Sequence, residues 1–301
     1  MAEQLALSIQ GMTKSYGKVR ALRGLDLEVR RGEIFGFLGP NGAGKTTTIR
    51  CLLDTIRPDG GSAHVLGLDP RRDAVAVHTR TGYLPGELHL DDNMTGEGQL
   101  RYFNALRGGR ASWVYVRQLA EQFDLDLKRP IKNLSRGNKQ KVGVIQAVMH
   151  RPELLILDEP TSGLDPLMQQ LVLRLIREAR DGGSTVFFSS HIMSEVEAVA
   201  DRAGIIRDGV LVEVAAPASL GARALHRATV RFHEAVSLER LLNATGVRLI
   251  SQDDDTHVTL EIVGEMSPFV RALASYPVRD LQTARPSLED VFLAAYGQTQ
   301  S

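Results

Sequence analysis

The residues GPNGAGKT, from Gly39 to Thr46, have the types and spacing of a phosphate-binding loop. They follow the apolar run IFGFL and precede the helical run TTTIRCLL, which is the strand-loop-helix context that this loop requires. The glycines let backbone N–H groups wrap a β-phosphate, while Lys45 can reach the β and γ oxygens and the Thr46 hydroxyl can bind Mg²⁺. The sequence therefore predicts a nucleotide site at the start of a helix.

Two carboxylates end a second apolar run, LLILDEP, from Leu154 to Pro160. Ligands of parallel sheets lie beyond the carboxyl ends of the strands. Asp158 is therefore expected to hold Mg²⁺ through water, and Glu159 to polarise an attacking water as a general base. An acidic pair also suits the first turn of a helix, but the phosphate loop in the same chain favours the catalytic interpretation.

The stretch NLSRGNKQ, from Asn133 to Gln140, has the character of an open helix end that could hold a second anion. Free backbone N–H groups and the helix dipole both favour negative charge there. An ordinary N-cap at Ser135 explains the same residues equally well. The residues alone leave both interpretations open.

The composition narrows the class of protein. The chain has 301 residues, 43% of them hydrophobic, and its 36 Lys and Arg balance 36 Asp and Glu. No overall basic field favours nucleic acid as a partner. The single cysteine, Cys51, excludes an internal disulfide and fits a reducing compartment. We find no secretory signal, and the best apolar run, Val142–Met149, is too short to span a membrane, so the chain is not expected to cross a bilayer alone.

Changes in residue pattern predict a first domain over residues 1–215. Residues 5 to 36 alternate apolar and polar types in pieces, which predicts a small antiparallel sheet, whereas IFGFL, LLILD and TVFFSS predict buried parallel strands of an α/β core. Between about 87 and 150, helical spacing without a buried strand predicts an inserted helical subdomain. Three aromatic residues are expected to pack inside it, namely Tyr102, Phe103 and Trp113.

A second domain is predicted after a linker at 216–226, where small residues and a proline interrupt both periodicities. Within 227–301 the short strands RATVRF, VRLIS, HVTLEIV and PVRDLQT alternate with helical pieces at 237–243 and 266–275. This βαββαβ order is typical of a small α+β sandwich of the ferredoxin-like type. A capping-box spacing at Ser287 predicts one last helix.

Taken in order, the phosphate loop, LSRGNKQ, LLILDEP, SGLD and SSH resemble the ATP-binding subunit of an ABC transporter, over residues 1 to about 215. The resemblance implies a P-loop NTPase core with a mixed sheet, an antiparallel β subdomain and a helical subdomain. It also implies that two subunits stack head to tail, so that Ser135 and Gly137 of one contact the γ-phosphate of the ATP bound by the other. Arg136 and Asn138 stand where the family most often has glycine and glutamine.

The resemblance implies roles for further residues. Tyr16 would stack on adenine, Asp165 would lie in the loop that crosses to the other subunit, and His191 would contact the γ-phosphate and orient water. From the residues alone, Tyr16 could also be an exposed turn tyrosine, and Asp165 could be the N-cap of a helix. The loop residues implied to contact ATP are Gly39, Pro40, Asn41, Gly42, Ala43, Gly44, Lys45, Thr46 and Thr47.

The clearest departure from the family lies in GYLPGEL, where Gly86 holds a position that is usually a glutamine in contact with Mg²⁺ and water. Our hypothesis is that Glu87 takes over part of this role, because a carboxylate can also bind Mg²⁺ or its waters. A solvated glutamate on a glycine turn is the alternative.

The resemblance implies an ATPase that uses ATP and Mg²⁺ to energise a transporter of the exporter class at the cytoplasmic face of the membrane. Its implied partners are a second ATP-binding subunit, in the simplest case a second copy of this chain, and a separate polytopic permease. Residues from Glu87 to about Leu106 would form the docking groove, with Leu88, Leu90 and Met94 in it. The closing segment PSLEDVFLAAYG resembles the C-terminal extension of ATPases paired with drug, antibiotic or polysaccharide exporters.

Two other classes of protein fit the sequence less well. A soluble ABC-type switch that acts on ribosomes or DNA would carry two cassettes, coiled coils or basic patches, and none is found. A GTPase would need a guanine-reading NKxD, and the nearest stretch, NKQK, lacks the aspartate. The permease would choose the transported molecule, so the sequence predicts no cargo.

Overall fold

The computed structural model describes residues 5–217, 219 and 225–284. The chain separates into two units, Met1–Ala215 and Ala216–Ser301, and each unit has a hydrophobic core of its own. Among the described residues, no helix has both the length and the apolar content to cross a bilayer.

An antiparallel sheet begins the first unit. In it β1 (Leu5–Tyr16) pairs with β2 (Val19–Arg30) on one side and with β4 (Gly60–Val65) on the other. Buried and exposed side chains alternate along much of β2, because one face of such a sheet packs on the core and the other faces water. The predicted antiparallel sheet is confirmed, but it ends at Arg30 and takes its third strand from beyond the phosphate loop.

A mixed sheet forms the centre of the first unit. Its strands are β3 (Ile34–Leu38), β5 (Thr81–Leu84), β6 (Leu154–Asp158), β7 (Thr185–Ser190), β8 (Arg202–Arg207) and β9 (Val210–Ala215). They lie in the order β5-β6-β7-β3-β8-β9, and only β8 and β9 are antiparallel. Every residue of β3, β6 and β7 is buried, as expected for parallel strands covered on both faces. The predicted α/β core is confirmed.

The helices of the first unit complete the layers around this sheet. They are α1 (Lys45–Leu52), α2 (Ala74–Arg80), α3 (Gly96–Leu106), α4 (Trp113–Gln122), α5 (Arg136–Val148), α6 (Pro166–Asp181) and α7 (Met193–Val199), with a short 3₁₀ helix at Ile131–Asn133. Between residues 87 and 150, all of which the structure describes, α3 to α5 occur and no strand does. This is the predicted helical insertion.

The prediction that Tyr102 packs inside the helical insertion is wrong. Its side chain is 51% exposed on α3 and meets the ring of Phe103 edge-on, with the ring centres 5.5 Å apart. The buried positions of α3 are instead Gly96, Gln99 and Leu100, one step around the helix. Helical spacing identifies a stripe of residues, but the contacts of neighbouring helices decide which edge of the stripe turns inward.

The described part of the second unit is a four-stranded antiparallel sheet with two short helices. Its elements in chain order are β10 (Leu225–Phe232), α8 (Glu239–Leu242), β11 (Val247–Asp254), β12 (His257–Val263), α9 (Met266–Leu273) and β13 (Val278–Ala284). The strand order is β11-β12-β10-β13, and Phe269 of α9 is fully buried in the core. The predicted βαββαβ arrangement is confirmed over these residues, whereas the helix predicted from Ser287 lies outside the described residues.

A partly buried arginine joins the end of α3 to the edge of the mixed sheet. Arg107 Nη1 donates to the carbonyl oxygens of Thr81, at 2.8 Å, and His78, at 3.1 Å, and lies 2.7 Å from His150 Nε2. A guanidinium only donates, so His150 accepts through Nε2 and is neutral in this contact. Burial, followed by the nearby guanidinium, lowers the pKa of His150 from 6.5 to about 4.

We expect the first unit to lose stability as the pH falls from about 6.5 to about 4. The folded pKa lies below the unfolded one, so in this window the unfolded chain binds the proton more readily and acid favours unfolding. His150→Gln removes this titration and should flatten the pH dependence of the unfolding free energy. Urea unfolding followed by fluorescence of Trp113, the single tryptophan, reports on this unit. His89→Gln, at an exposed position, is the control, and equal pH dependence in both variants would contradict the expectation.

Candidate nucleotide site

Three loops meet at the carboxyl edge of the mixed sheet. The strand β7 lies between β6 and β3, with Ser189 opposite Asp158 and Ser190 opposite Leu38. The phosphate loop follows β3, the two carboxylates end β6, and His191 follows β7. Since ligands of such sheets bind beyond the carboxyl ends of the strands, the topology brings the predicted site residues of all three loops together.

The phosphate loop presents backbone donors at the start of α1. Gly44 caps this helix with φ at +111°, and a Cβ there would lie 2.7 Å from the carbonyl oxygen of Ala21, so only glycine fits. Thr48 N donates to Gly44 O at 2.9 Å. The N–H groups of the preceding positions therefore have no partner within the helix, and together with the helix dipole they favour an anion.

Lys45 is a buried cation inside this loop, with 5% of its surface exposed. Its Nζ donates to the carbonyl oxygens of Gly39, at 2.5 Å, and Pro40, at 3.2 Å. Nζ also forms an ion pair with Glu159 Oε1 at 3.1 Å, although the geometry of this contact does not meet the angles of a hydrogen bond. Carbonyl dipoles and a carboxylate offset the cost of burying this charge, and the ammonium is held where phosphate oxygens could bind.

Glu159 is held from several sides. Its Oε2 lies 2.7 Å from His191 Nδ1, and its backbone N donates to Ser189 Oγ at 3.0 Å. Its φ of +51° is in the left-handed region, which is uncommon for a residue other than glycine. Because the lysine and the imidazole fix both carboxylate oxygens, the group is oriented and remains 19% exposed on its side chain, an arrangement that suits a general base acting on water.

Asp158 is fully buried and has one free oxygen. Its Oδ1 accepts a hydrogen bond from Ser189 Oγ at 2.5 Å, while Oδ2 has no partner among the described residues. A Cβ at Gly86 would lie 3.1 Å from Oδ2, so any other residue at this position would crowd the oxygen. Buried polar atoms rarely lack a partner, and a carboxylate oxygen is a ligand that Mg²⁺ prefers. The Asp158 carboxylate thus fits a magnesium ligand, and Thr46, the other predicted ligand, lies in the first turn of α1.

Glu87 points away from this carboxylate. Its side chain is 81% exposed, and Oε2 lies 4.0 Å from Nη2 of Arg50, which is a weak surface pair. The residue that faces Asp158 is Gly86, the position of the family glutamine. A role for Glu87 toward the metal stays a prediction.

The second predicted anion site, at Ser135 to Asn138, coincides with the N-terminus of a helix. Ser135 is the N-cap of α5, and its side chain accepts a hydrogen bond from Asn138 N at 3.2 Å. This bond uses one of the free N–H groups at the helix end, so an anion could still bind to the others. The N-cap and anion interpretations are therefore compatible.

The start of α5 packs against the loop that follows the carboxylate pair. A Cβ at Gly137 would lie 3.2 Å from the carbonyl oxygen of Gly163, and Gln140 Nε2 donates to Pro160 O at 3.2 Å. The same loop ends at Asp165, which caps α6 by accepting from Leu167 N and Met168 N, both at 3.1 Å. Residues of two predicted site segments are thus parts of one packed surface.

Tyr16 lies at the end of β1, where its side chain is 47% exposed. Lys14 Nζ lies 5.7 Å from the ring centre, at the limit of a cation–π contact. An exposed ring face could stack on a base, and the geometry is equally that of an exposed turn residue.

Three buried side chains, Ser189, Ser190 and Glu195, support the site although no role there was predicted for them from the sequence. Ser189 links Asp158 to Glu159 N, and the next residue, Ser190, donates to Glu195 at 2.6 Å. A partial signal exists in the sequence, because two adjacent hydroxyl residues at the end of a fully buried apolar strand need partners. The partners themselves depend on the strand register.

The chain is similar to known proteins over nearly its whole length. The family model described as ABC transporter matches residues 22–162. The daunorubicin resistance ATP-binding protein DrrA3 of Streptomyces coeruleorubidus is 36% identical over 97% of this chain and 96% of that protein. The bacitracin transport ATP-binding protein BcrA of Bacillus licheniformis is 39% identical over 67% of each. A solved structure of an ATP-binding subunit of an ABC transporter has a TM-score of 0.66 at 27% identity, covering 71% of this chain and 91% of that one.

A phosphate loop beside carboxylates and a histidine, at the carboxyl edge of a mainly parallel sheet, defines the class of P-loop NTPases. The relatives narrow this class. The chain belongs to the ATP-binding subunits of ABC transporters. It is an ATPase that binds ATP and hydrolyses it to energise a transporter.

Gly86→Ala is expected to lower ATP turnover about 10-fold, the lower end of the effect of changing a group beside a metal ligand. The added methyl group would crowd Asp158 Oδ2, which is free for a cation. Turnover is measured against Mg²⁺ concentration, and the half-saturating Mg²⁺ concentration should rise. Gly98→Ala, whose Cβ would make only ordinary contacts on α3, is the control. A Gly86→Ala variant with the Mg²⁺ dependence of the control would count against the free oxygen as a metal ligand.

Proposed function

We propose that the chain is the ATPase subunit of an exporter, that it works as a head-to-tail pair with a second copy, and that it attaches to a separate polytopic permease at the cytoplasmic face of the membrane. The observation that carries the catalytic part is the Glu159 carboxylate, held between Lys45 and His191 at 3.1 and 2.7 Å. The names of the relatives, which concern daunorubicin resistance and bacitracin transport, support the exporter class.

The proposed chemistry divides the site residues by role. Backbone N–H groups of the phosphate loop and the Lys45 ammonium bind the β- and γ-phosphates of ATP. Thr46 and Asp158 hold Mg²⁺, which when bound neutralises charge on the phosphate oxygens. Glu159 accepts a proton from the attacking water, and His191 holds the Glu159 carboxylate in place through Nδ1. Tyr16 stacks on the adenine ring.

A second copy completes the site in this proposal. Ser135 and Gly137 of one subunit contact the γ-phosphate bound by the other, and Asp165 lies in the loop that crosses between them. The packing of Gly137 against the Gly163 carbonyl supports a joint movement of these two segments, because a rigid contact passes displacement between them. Nucleotide then acts as part of the subunit interface, since it contacts both copies.

The segment from Glu87 to about Leu106 is the proposed docking face for the permease. A cleft of about 630 Å³ lies between the loop at Gly86 to His89 and the start of α5. On α3, Tyr102 and Leu106 expose 51% and 65% of their surface at a spacing of one helical turn. The cleft and the exposed apolar side chains of α3 each support a protein partner on this segment, and Leu88, Leu90 and Met94 belong to the same proposed groove.

Glu159→Gln, incubated with ATP, is expected to run as a dimer on size exclusion and as a monomer without nucleotide. The amide keeps the shape of the site but cannot accept the proton, so ATP stays bound and holds the two copies together. Adding Ser135→Ala should weaken this dimer. Thr95→Ala, which removes the matching N-cap bond on α3, is the control and should leave it intact. Persistent monomers of Glu159→Gln with ATP would contradict the head-to-tail pair.

Glu87→Ala tests the residue next to Gly86, the position at which this chain lacks the glutamine usual in the family. If Glu87 binds a water of the metal in the closed complex, the substitution should lower ATP turnover of the chain assembled with its permease about 10-fold. Glu121→Ala, at an exposed position of α4, controls for the loss of a surface charge. Turnover and transport equal to those of the control would discard the hypothesis for Glu87.

A further inference from the structure

A buried glutamate lies behind the site and belongs to none of the motifs described above. Glu195, on α7, has 6% of its surface exposed. Its Oε1 accepts from Thr161 Oγ1 and its Oε2 from Ser190 Oγ, both at 2.6 Å. Among the described residues, no cation forms an ion pair with it. A buried carboxylate without a cation is costly, so its two hydroxyl donors must do the stabilising.

The two donors come from the two loops that flank the general base. Thr161, 2% exposed, follows Glu159 and Pro160 and begins the loop that ends at Asp165. Ser190 ends β7 and directly precedes His191. The Glu195 carboxylate therefore joins the start of the loop that ends at Asp165 to the end of the strand that precedes His191.

Ser190 fixes the backbone on both sides of His191. Its Oγ accepts a hydrogen bond from Ile192 N at 2.9 Å while its hydroxyl proton goes to Glu195. The direction of that bond matters, because the backbone N–H can only donate. Holding Ser190 thus holds the turn from which the imidazole reaches Glu159 at 2.7 Å.

The arrangement requires a carboxylate in particular. Two hydroxyl donors need two acceptor atoms, and glutamine offers a single acceptor oxygen beside an NH₂ donor. Glutamine has nearly the same volume, so it would fill the space while reversing or breaking one of the two bonds. Aspartate keeps both acceptors but is shorter by one methylene and cannot reach both donors.

We propose that Glu195 is a positioning residue that couples the Asp165 loop to His191. Contact of a second copy with the Asp165 loop acts on Thr161, Glu195 links Thr161 to Ser190, and Ser190 holds the turn that keeps His191 against Glu159. The inference rests on the proposed roles of His191 and Asp165. It adds a chain of hydrogen bonds, within one subunit, that links the loop in contact with the second copy to the residues that hydrolyse ATP.

Glu195→Gln is expected to lower kcat for ATP hydrolysis by the purified full chain about 10- to 100-fold, the range for groups that orient groups in direct contact with a metal or substrate. The KM for ATP should stay within about twofold, because the phosphate loop is untouched and uniform binding is unchanged. Glu197→Gln makes the same chemical change at an exposed position of the same helix and should leave both constants unchanged.

A spectroscopic measurement separates positioning from folding. In Glu195→Gln, the ring ¹H–¹⁵N signals of His191 should shift or broaden, while those of His150, which follows α5, should stay in place.

His191→Ala, assayed in parallel, tests the proposed function on its own, because full turnover in that variant would refute the role of the histidine whatever Glu195 does. Glu195→Gln with kcat, KM and His191 signals like those of Glu197→Gln would overturn the coupling. A kcat loss with an equal rise in KM and a lowered Tm would also overturn it, by assigning Glu195 to folding.

A double-mutant cycle covers the case in which Glu195→Gln does not fold. Thr161→Val keeps the shape of the threonine and removes its hydroxyl, and Ser190→Ala does the same for the serine. If both act through Glu195, the effect of the double variant on kcat should be smaller than the product of the single effects. Multiplicative effects would show two independent contacts and would refute the bridge.

Discussion

The contact on which the site depends is the three-part arrangement of Lys45, Glu159 and His191. A buried ammonium lies on one oxygen of the carboxylate and an imidazole on the other, at 3.1 and 2.7 Å. Lys45 begins α1 beyond β3, while Glu159 and His191 directly follow β6 and β7, so the contact depends on the register of these three strands. The fully buried apolar strands therefore do more than fill a core, because their register sets the distances between the charged groups at their ends.

The end of β7 explains how three carboxylates can share one small volume. Ser189, Ser190 and His191 are consecutive, and they bind Asp158, Glu195 and Glu159 respectively. Like charges this close would repel strongly in a low dielectric unless each had its own donor. Neutral hydroxyls donate to the two most buried carboxylates, Asp158 and Glu195, and the more exposed His191 binds the third, Glu159. The order of three consecutive residues, from Ser189 to His191, therefore determines which donor each carboxylate receives.

Much of the fold and the site follows from local sequence, and the rest does not. The phosphate loop, the LLILDEP strand and the βαββαβ order of the second unit carry strong patterns of spacing, and each is found as expected. The short strands β5, β8 and β9 include glycine or partly exposed residues, so they lack a distinctive pattern. Glu195 could not be found in the same way, because an isolated glutamate on a helix carries no sign of its burial. Its partners come from residues 34 and 5 positions away, joined only by tertiary structure.

The left-handed backbone of Glu159 has a consequence for the evolution of the chain. A side chain at that φ costs about 1–2 kcal/mol, whereas glycine would adopt the conformation without steric strain. Exchange to glycine would relieve this strain but would also remove the carboxylate that offsets the burial of Lys45, and removing one partner of a buried ion pair costs about 3–5 kcal/mol. Substitution searches scored only by melting temperature are therefore expected to keep the carboxylate. The strained position thus keeps its glutamate for two reasons, the ion pair with Lys45 and the proposed role as general base.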